Sequence, residues 1–499
     1  MGHGHPTHFK PVEYYRFDDK GKKITLAILA IGIVLLVLGL VLAANKDYTA
    51  TSHSGHGDHH SALQVPARTV AEEGTEAAHD KTEAGKAGHA EEGHGEEGHG
   101  AADHSKDAHA DHATTAVHDA HAAHHGPWEG HYPLTEAPSL VERLFSSVLI
   151  NSFMFTGIAL LALFFIAVHH VAHGGWFVQF IRICEAMGAW LFIGPVLLIV
   201  TFFVAGPEIY LWMQKDKLDD PEILRLLNEK ESYLNQGFFL ARQIAAFILW
   251  IVLFLMLRKS SRKEDIEGGF KLYDKRVGLS AGFIVLFGFT YSMASWDWLM
   301  SIESTWFSTM FGVHAFASAW VSAIAIIILI TVFLRNAGYF PHVSDGLMHD
   351  LGKYLFGFSV FWTYIWFSQF MLIWYANIPE EGVYFYNRLG DYPFTFALML
   401  IMNFVTPFLV LMTNSSKRQS NTLVAVAIVV LLGHWLDFYQ MVVPGALGPF
   451  GEVGFLELGM FITFLGAFLF VTGTMIAKAP LIPKKHPYLE ESLGHTYDI

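Results

Sequence analysis

Ten stretches of this chain are apolar for long enough to cross the roughly 30 Å hydrocarbon core of a bilayer as helices. They cover approximately residues 24–44, 146–168, 186–205, 238–257, 279–298, 311–334, 354–376, 393–413, 422–443 and 455–477. Lipid offers no water to backbone N–H and C=O groups, so such runs must close their hydrogen bonds internally. The expected fold class is therefore an all-α polytopic membrane protein with ten transmembrane helices. Composition agrees, since 53% hydrophobic residues exceed what a soluble core of this size uses while only 16% are charged. The first run follows Lys20, Lys22 and Lys23 and ends in Leu42-Ala43-Ala44, as a secretory signal would. It outlasts the roughly 7–15 residues of a signal's apolar region and reads as a retained anchor.

Basic residues set the expected orientation. With the amino terminus in the cytoplasm, the inside segments hold 20 Lys and Arg, seven of them in 258–278. The short outside loops hold four in 206–237, none in 299–310, one in 377–392 and none in 444–454. The bias places both termini inside, as the positive-inside rule requires of an even number of spans. The expected organisation is a cytoplasmic segment 1–23, a first helix 24–44, an outer loop 45–145, a nine-helix membrane body 146–477 and a cytoplasmic tail 478–499.

The loop 45–145 differs from the rest. It carries 16 of the 28 histidines and 18 of the 46 acids but six basic residues, so the acidity of the chain belongs to it. Repeats such as Glu91-Glu92-Gly93-His94-Gly95-Glu96-Glu97-Gly98-His99 bury too little to offset ordering entropy, and disorder is expected from at least His53 to His125. Imidazoles bind zinc, copper and nickel, which makes His94, His99, His124 and His125 weak metal candidates. A solvated low-complexity extension explains them equally, and no fixed ligand spacing marks a single site. Cys184 is the one cysteine, so no intrachain disulfide, Cys-ligated iron–sulfur cluster or C-x-x-C-H haem attachment can form. A b-type haem on His314 and His434 is disfavoured by their unequal expected depths.

Ionisable groups at membrane depth are costly and usually face a protein interior or water. Arg242 and Asp297 fall at similar depth on spans 4 and 5 and are expected to pair, either as a pin between helices or, with Glu303 beyond, as a proton exit or a gate on a quinol pocket. His434 and Asp437 share a helical face on span 9 and can exchange a proton, or simply specify packing. Tyr439 and Gln440 follow them. Tyr364 and Gln369 on span 7, Glu457 at the start of span 10 and His314 extend the candidate outward route. On the inner side His169, His170 and His173 close span 2 and Arg182 and Glu185 open span 3. Meeting headgroups and water is their ordinary role, and a proton-entry mouth at His169, His170 and Glu185 is the functional alternative. Pro195 and Pro407 should bend spans 3 and 8.

Three motifs carry a family resemblance: Asp297-Trp298-Leu299-Met300-Ser301-Ile302-Glu303 with Trp306-Phe307-Ser308-Thr309-Met310-Phe311-Gly312, then Ile373-Trp374-Tyr375-Ala376-Asn377-Ile378-Pro379-Glu380-Glu381, then Asp437-Phe438-Tyr439-Gln440-Met441-Val442-Val443-Pro444. Over roughly 140–480 the chain resembles the F-type membrane subunit of bacterial alternative complex III, a quinol:cytochrome c oxidoreductase whose large membrane subunits resemble the NrfD/polysulfide reductase anchors. The resemblance implies two four-helix bundles, spans 2–5 and 6–9, flanked by spans 1 and 10, in a bacterial inner membrane. It implies a subunit without its own redox cofactor that supports proton movement, with quinol or menaquinol binding as a candidate role. Implied partners are an NrfD-like quinol-oxidising subunit, an iron–sulfur subunit, multihaem and monohaem cytochromes c, small membrane subunits, a terminal oxidase and lipids, with no nucleic acid. Haems and iron–sulfur clusters then sit on the partners. By matching motif, Asp297, Glu303, Glu380, Glu381 and Asp437 are the implied functional positions. The His-rich loop departs from the family pattern. Competing readings are a secondary ion or metal transporter, suggested by that loop, and a passive anchor in which every polar group is structural.

Overall fold

A computed structural model describes residues 14–17, 19–44 and 137–495. Among them ten helices are long and apolar enough to span a membrane: Lys20–Ala44, Leu140–Val171, Trp176–Ile209, Gln236–Glu267, Phe270–Trp298, Phe311–Asn336, Asp345–Ala376, Pro393–Val410, Ser420–Phe450 and Phe455–Ile476, hereafter spans 1–10. No strand occurs among the described residues. The chain is an all-α polytopic membrane protein. The expected disorder and the metal candidates His94, His99, His124 and His125 lie outside the described residues.

Most helices outrun their apolar cores because polar caps carry them onward. Span 2 starts at Leu140 rather than 146, so the loop expected to reach 145 ends earlier. Ser139 accepts from the Glu142 N–H at 3.1 Å while Glu142 accepts from the Ser139 N–H at 2.6 Å, a reciprocal cap. Arg143, which looked like a loop cation, is buried on the first turn and reaches Glu457 at 2.6 and 3.1 Å. Ser344 and Asn235 likewise cap spans 7 and 4.

Both prolines fall where helical regularity breaks. Span 3 is broken into 3-10 and α segments, with Pro195 opening its last helix at Gly194–Ile209. Span 8 carries a π segment, Ile401–Val405, ahead of Pro407. Proline has no N–H to give the preceding turn, and just before it the Ile401 carbonyl accepts from both the Thr406 N–H and, at 2.9 Å, the Thr406 hydroxyl.

Spans 2 and 6 are almost wholly enclosed and pack on each other. Span 2 also meets spans 3, 5, 9 and 10, and span 6 meets spans 5, 7 and 9. Spans 4 and 5 pair, as do 8 and 9. Span 1 leaves most of its surface exposed and docks chiefly on span 10. There the helices approach backbone to backbone: a Cβ at Gly39 would lie 2.2 Å from the Leu456 nitrogen, and one at Gly459 2.3 Å from the Leu36 nitrogen.

Residues 14–17 and the tail after span 10 meet at one end of the body, here the terminal side. Tyr14 pairs with Pro480, and the Tyr339 hydroxyl donates to the Arg16 carbonyl at 3.4 Å. The tail is fastened across this end. Arg262 donates to the Lys478 carbonyl at 3.0 Å, the Lys484 N–H to Asp265 at 3.0 Å, and Gln179 to the Ser492 carbonyl at 2.8 Å.

Candidate functional site

On span 9, Gly433 allows close approach of the π segment of span 8: an added Cβ would sit 2.2 Å from Asn403 Oδ1. The next residue, His434, and then Asp437 and Gln440 follow at three-residue steps, so they line one face. All three are buried. Asp437 Oδ2 accepts from Trp362 Nε1 at 2.8 Å and from the Ser318 hydroxyl, and its Oδ1 lies 3.2 Å from His314 Nε2. His434 Nδ1 is 3.9 Å from the carboxylate and makes no hydrogen bond through either ring nitrogen. The unequal depths expected for His314 and His434 are thus corrected: both approach Asp437, and both rings lie against Trp362, at 6.0 and 5.3 Å between centroids. Span 6 starts recessed, behind the 3-10 turn Met300–Glu303 and the segment up to Phe311, while span 9 runs past that turn. Counting from helix ends misjudges such a pair.

A small cavity of about 10 Å³ lies beside Asp437 and His314, with Gln369, Tyr384, Arg388 and Gln440 among its walls. It has room for about one water. Gln369 Nε2 and Gln440 Oε1 have no partner there. Beyond stands Arg388, a residue sequence reasoning used only for counting loop charge. It lies 3.3 Å above the Tyr384 ring, donates to the Gln440 carbonyl at 2.9 Å and the Tyr384 carbonyl at 2.6 Å, and meets Glu303 at 3.2 and 3.3 Å. Burial pushes the Glu303 carboxyl above its ordinary range, and Arg388 opposes the rise. Glu303 and Tyr384 also line an open cleft of about 780 Å³ on the side away from the chain ends. Glu380, on the first turn of the helix Pro379–Gly390, lines it too, while Glu381 is half-buried outside its lining.

No family model matches this chain, and no curated protein matches it.

Several candidates are closed pairs. Asp297, with no exposed surface, accepts from Arg242 at 2.6 and 2.8 Å and from Gln243, whose carbonyl in turn accepts from Trp298 at 2.8 Å. Arg242 also donates to the Tyr233 carbonyl at 2.8 Å and lies over the Tyr233 ring at 3.9 Å. Glu303 does not continue from Asp297 as expected; it pairs directly with Arg388. Glu457 is engaged by Arg143 and by the Gly454 N–H at 2.8 Å, which ties span 2 to span 10. Tyr364 is 66% exposed on the outside of span 7 and is corrected from a route member to a surface residue, because its face of the helix meets no other span.

Of the inner-side candidates His169, His170, Arg182 and Glu185 are buried, contrary to a mouth or a headgroup contact, while His173 is exposed. His169 bonds the Phe165 carbonyl at 2.7 Å and the Tyr354 hydroxyl at 3.0 Å, and His170 bonds Ser280 at 3.0 Å. Arg182 holds Glu185 at 2.7 Å, together with Asp265 and Ser261. His173 turns the chain at φ 51°. The reason is the tail: its His486 packs on Tyr273 and His170, at 5.4 and 6.3 Å between centroids.

Burial, with Arg276 and Arg182 near, holds His486 down to about 3 from an ordinary 6.5. A lowered histidine is neutral when folded, so its contribution to tail docking is complete above about pH 6.5 and lost as pH falls toward 3. Hydrogen exchange of residues 484–493 is expected to quicken by up to about tenfold per pH unit across that window, after correction for intrinsic rates. His486→Phe should flatten the dependence.

Proposed function

We propose that this chain is a membrane subunit of a quinol:cytochrome c oxidoreductase of the alternative complex III type, with Asp437 as its central proton-exchanging group. One observation carries the reading: a buried carboxylate flanked by two histidines adjoins a one-water cavity that is walled by Arg388 and shares Tyr384 with an open cleft. Imidazole and carboxylate both take up and release protons, so three such side chains converging on one point can pass a proton among them. Arg388 cannot release its own proton, and its charge bars an excess proton from the cavity mouth. Passage then requires Arg388 to shift between Glu303 and the carboxylate behind it. In this reading quinol oxidation, the haems and the iron–sulfur clusters belong to partner subunits, the termini are cytoplasmic in a bacterial inner membrane, and the cleft faces outward. The pairing of span 2 with 3 and 5, and of span 6 with 7 and 9, supports two four-helix groups.

The anchor reading has its own support in the closed pairs Arg242–Asp297 and Arg143–Glu457, which tie span 4 to span 5 and span 2 to span 10. A metal transporter gains none, since no three metal-binding side chains converge among the described residues.

Asp437→Asn keeps the acceptor for Ser318 and Trp362 but cannot exchange a proton at ordinary pH. In the purified complex, assembly should persist while protons released or taken up per quinol oxidised fall severalfold. Unchanged proton stoichiometry and turnover in an intact complex would leave only the anchor.

A further inference from the structure

The open cleft combines apolar lining such as Ile209, Ile302 and Pro444 with five carboxylates. Glu142, Glu208, Asp219, Glu303 and Glu380 line it against a single lysine, Lys217. Acidity alone would describe any solvated rim. The floor adds a second observation: Asn387, only 5% exposed, lines the cleft and its Oδ1 has no partner, and one carboxylate oxygen of Glu208 is likewise buried and unpartnered. Buried acceptors left open cost stability unless something donates to them. Beside them Trp306 and Tyr384 are stacked at 3.8 Å, a rigid aromatic slab whose indole N–H is also unpaired. Trp, Tyr and Arg in partly desolvated pockets are the residue types that anchor protein interfaces.

The occupant's chemistry follows. It must bring positive charge and several donors. A bare metal ion is a poor fit, because nowhere among the described residues do three metal-binding side chains converge. The carboxylates stand on separate walls, Glu142, Glu208 and Asp219 from the segments around spans 2 and 3, Glu303 and Glu380 from the Met300–Glu303 turn and the Pro379–Gly390 helix. Only an extended cation with charges apart from one another reaches both. The cleft opens outside the apolar spans, where a protein can approach it.

We propose that this cleft is the docking site for a basic segment of a partner protein, one that inserts at least two Lys or Arg side chains between the two acidic walls and donates to Asn387 Oδ1. The guanidinium is the better fit, since its planar fork matches carboxylates and lies flat on aromatic rings, as Arg388 already does on Tyr384. This goes beyond proton exchange at Asp437 and stands whether or not that exchange occurs.

The test needs a readout confined to the cleft. The full chain in nanodiscs, labelled with 5-fluorotryptophan, gives a fluorine resonance for Trp306 that is assigned by its loss in Trp306→Phe. Titration with a tetra-arginine peptide at physiological ionic strength should shift that resonance saturably, and a tetra-glutamate peptide should not. In Glu208→Gln/Glu380→Gln, and separately in Asn387→Leu, the apparent Kd should rise at least tenfold, with the other tryptophan resonances unmoved. A Trp306 resonance that stays still at saturating peptide, or an affinity unchanged in both variants, overturns the proposal. An equal response to spermine at equal charge also overturns it, by assigning the cleft to a free polyamine.

Discussion

Asp297→Ala is expected to cost about 3–5 kcal/mol of stability, because it strands the Arg242 guanidinium below the surface with no carboxylate. The loss should be read as a lower midpoint of thermal unfolding in nanodiscs and a smaller folded yield. Arg242→Ala should do comparable harm, leaving Asp297 with Gln243 as its only side-chain donor of those two. The informative variant is the double one. Replacing both partners by leucine removes the charge with its counter-charge, and a buried pair replaced by apolar groups is often neutral or stabilising. Arg242→Leu/Asp297→Leu should therefore recover most of the loss of either alanine variant. If Asp297 instead exchanged protons in turnover, the double variant would fold yet lose proton coupling. Recovery of both folding and coupling would make this pair a pin, and would leave Asp437 as the carboxylate that matters.

The ten spans and the Arg242–Asp297 pair were legible in the sequence for the same reason. Hydrocarbon demands long apolar runs, and an arginine within them demands a carboxylate at its own depth, so few partners are eligible. Asp437 was legible through its spacing from His434, but its Ser318 and Trp362 donors were not, since they come from spans 6 and 7 and carry no charge to single them out. Arg388 escaped because a lone cation in a short loop looks solvated, whereas the helix Pro379–Gly390 turns it inward over Tyr384. Arg143 was missed likewise, its depth revealed only by Glu457, more than three hundred residues away. His169 and His170 were misjudged for a different reason. Nothing local says that a polar tail after the last span will fold back over His170, since its hold depends on backbone acceptors such as the Ser492 carbonyl. Tyr364 failed because periodicity places a residue on a face without saying whether another span covers it.

The close seam between spans 1 and 10 supplies the other large effect. Gly32 and Gly39 on one helix and Gly459 and Gly466 on the other recur at seven residues, the period that keeps a seam facing its partner. The contacts run antiparallel, with Gly466 against Leu29, Gly459 against Leu36 and Gly39 against Leu456. Lipid provides little hydrophobic drive between helices, so dispersion contacts made by small residues at close approach hold such a pair together. A Cβ at Gly459 or Gly39 would fall within 2.3 and 2.2 Å of backbone atoms, which no rotamer change relieves. Overpacking of this kind typically costs about 1–3 kcal/mol and sometimes more. Span 1 has little other footing, its outward residues such as Val34 and Val37 being exposed, so the cost falls on its docking. Gly39→Leu/Gly459→Leu should therefore release span 1 as a helix alone in lipid, lowering the unfolding midpoint and removing hydrogen-exchange protection around Lys20–Lys23, where the end of the helix frays once unsupported. Gly278→Leu/Gly282→Leu is the control, because nothing lies within 4 Å of either position and leucine favours helix. Equal behaviour of the two double variants would mean that the glycine seam does not hold span 1.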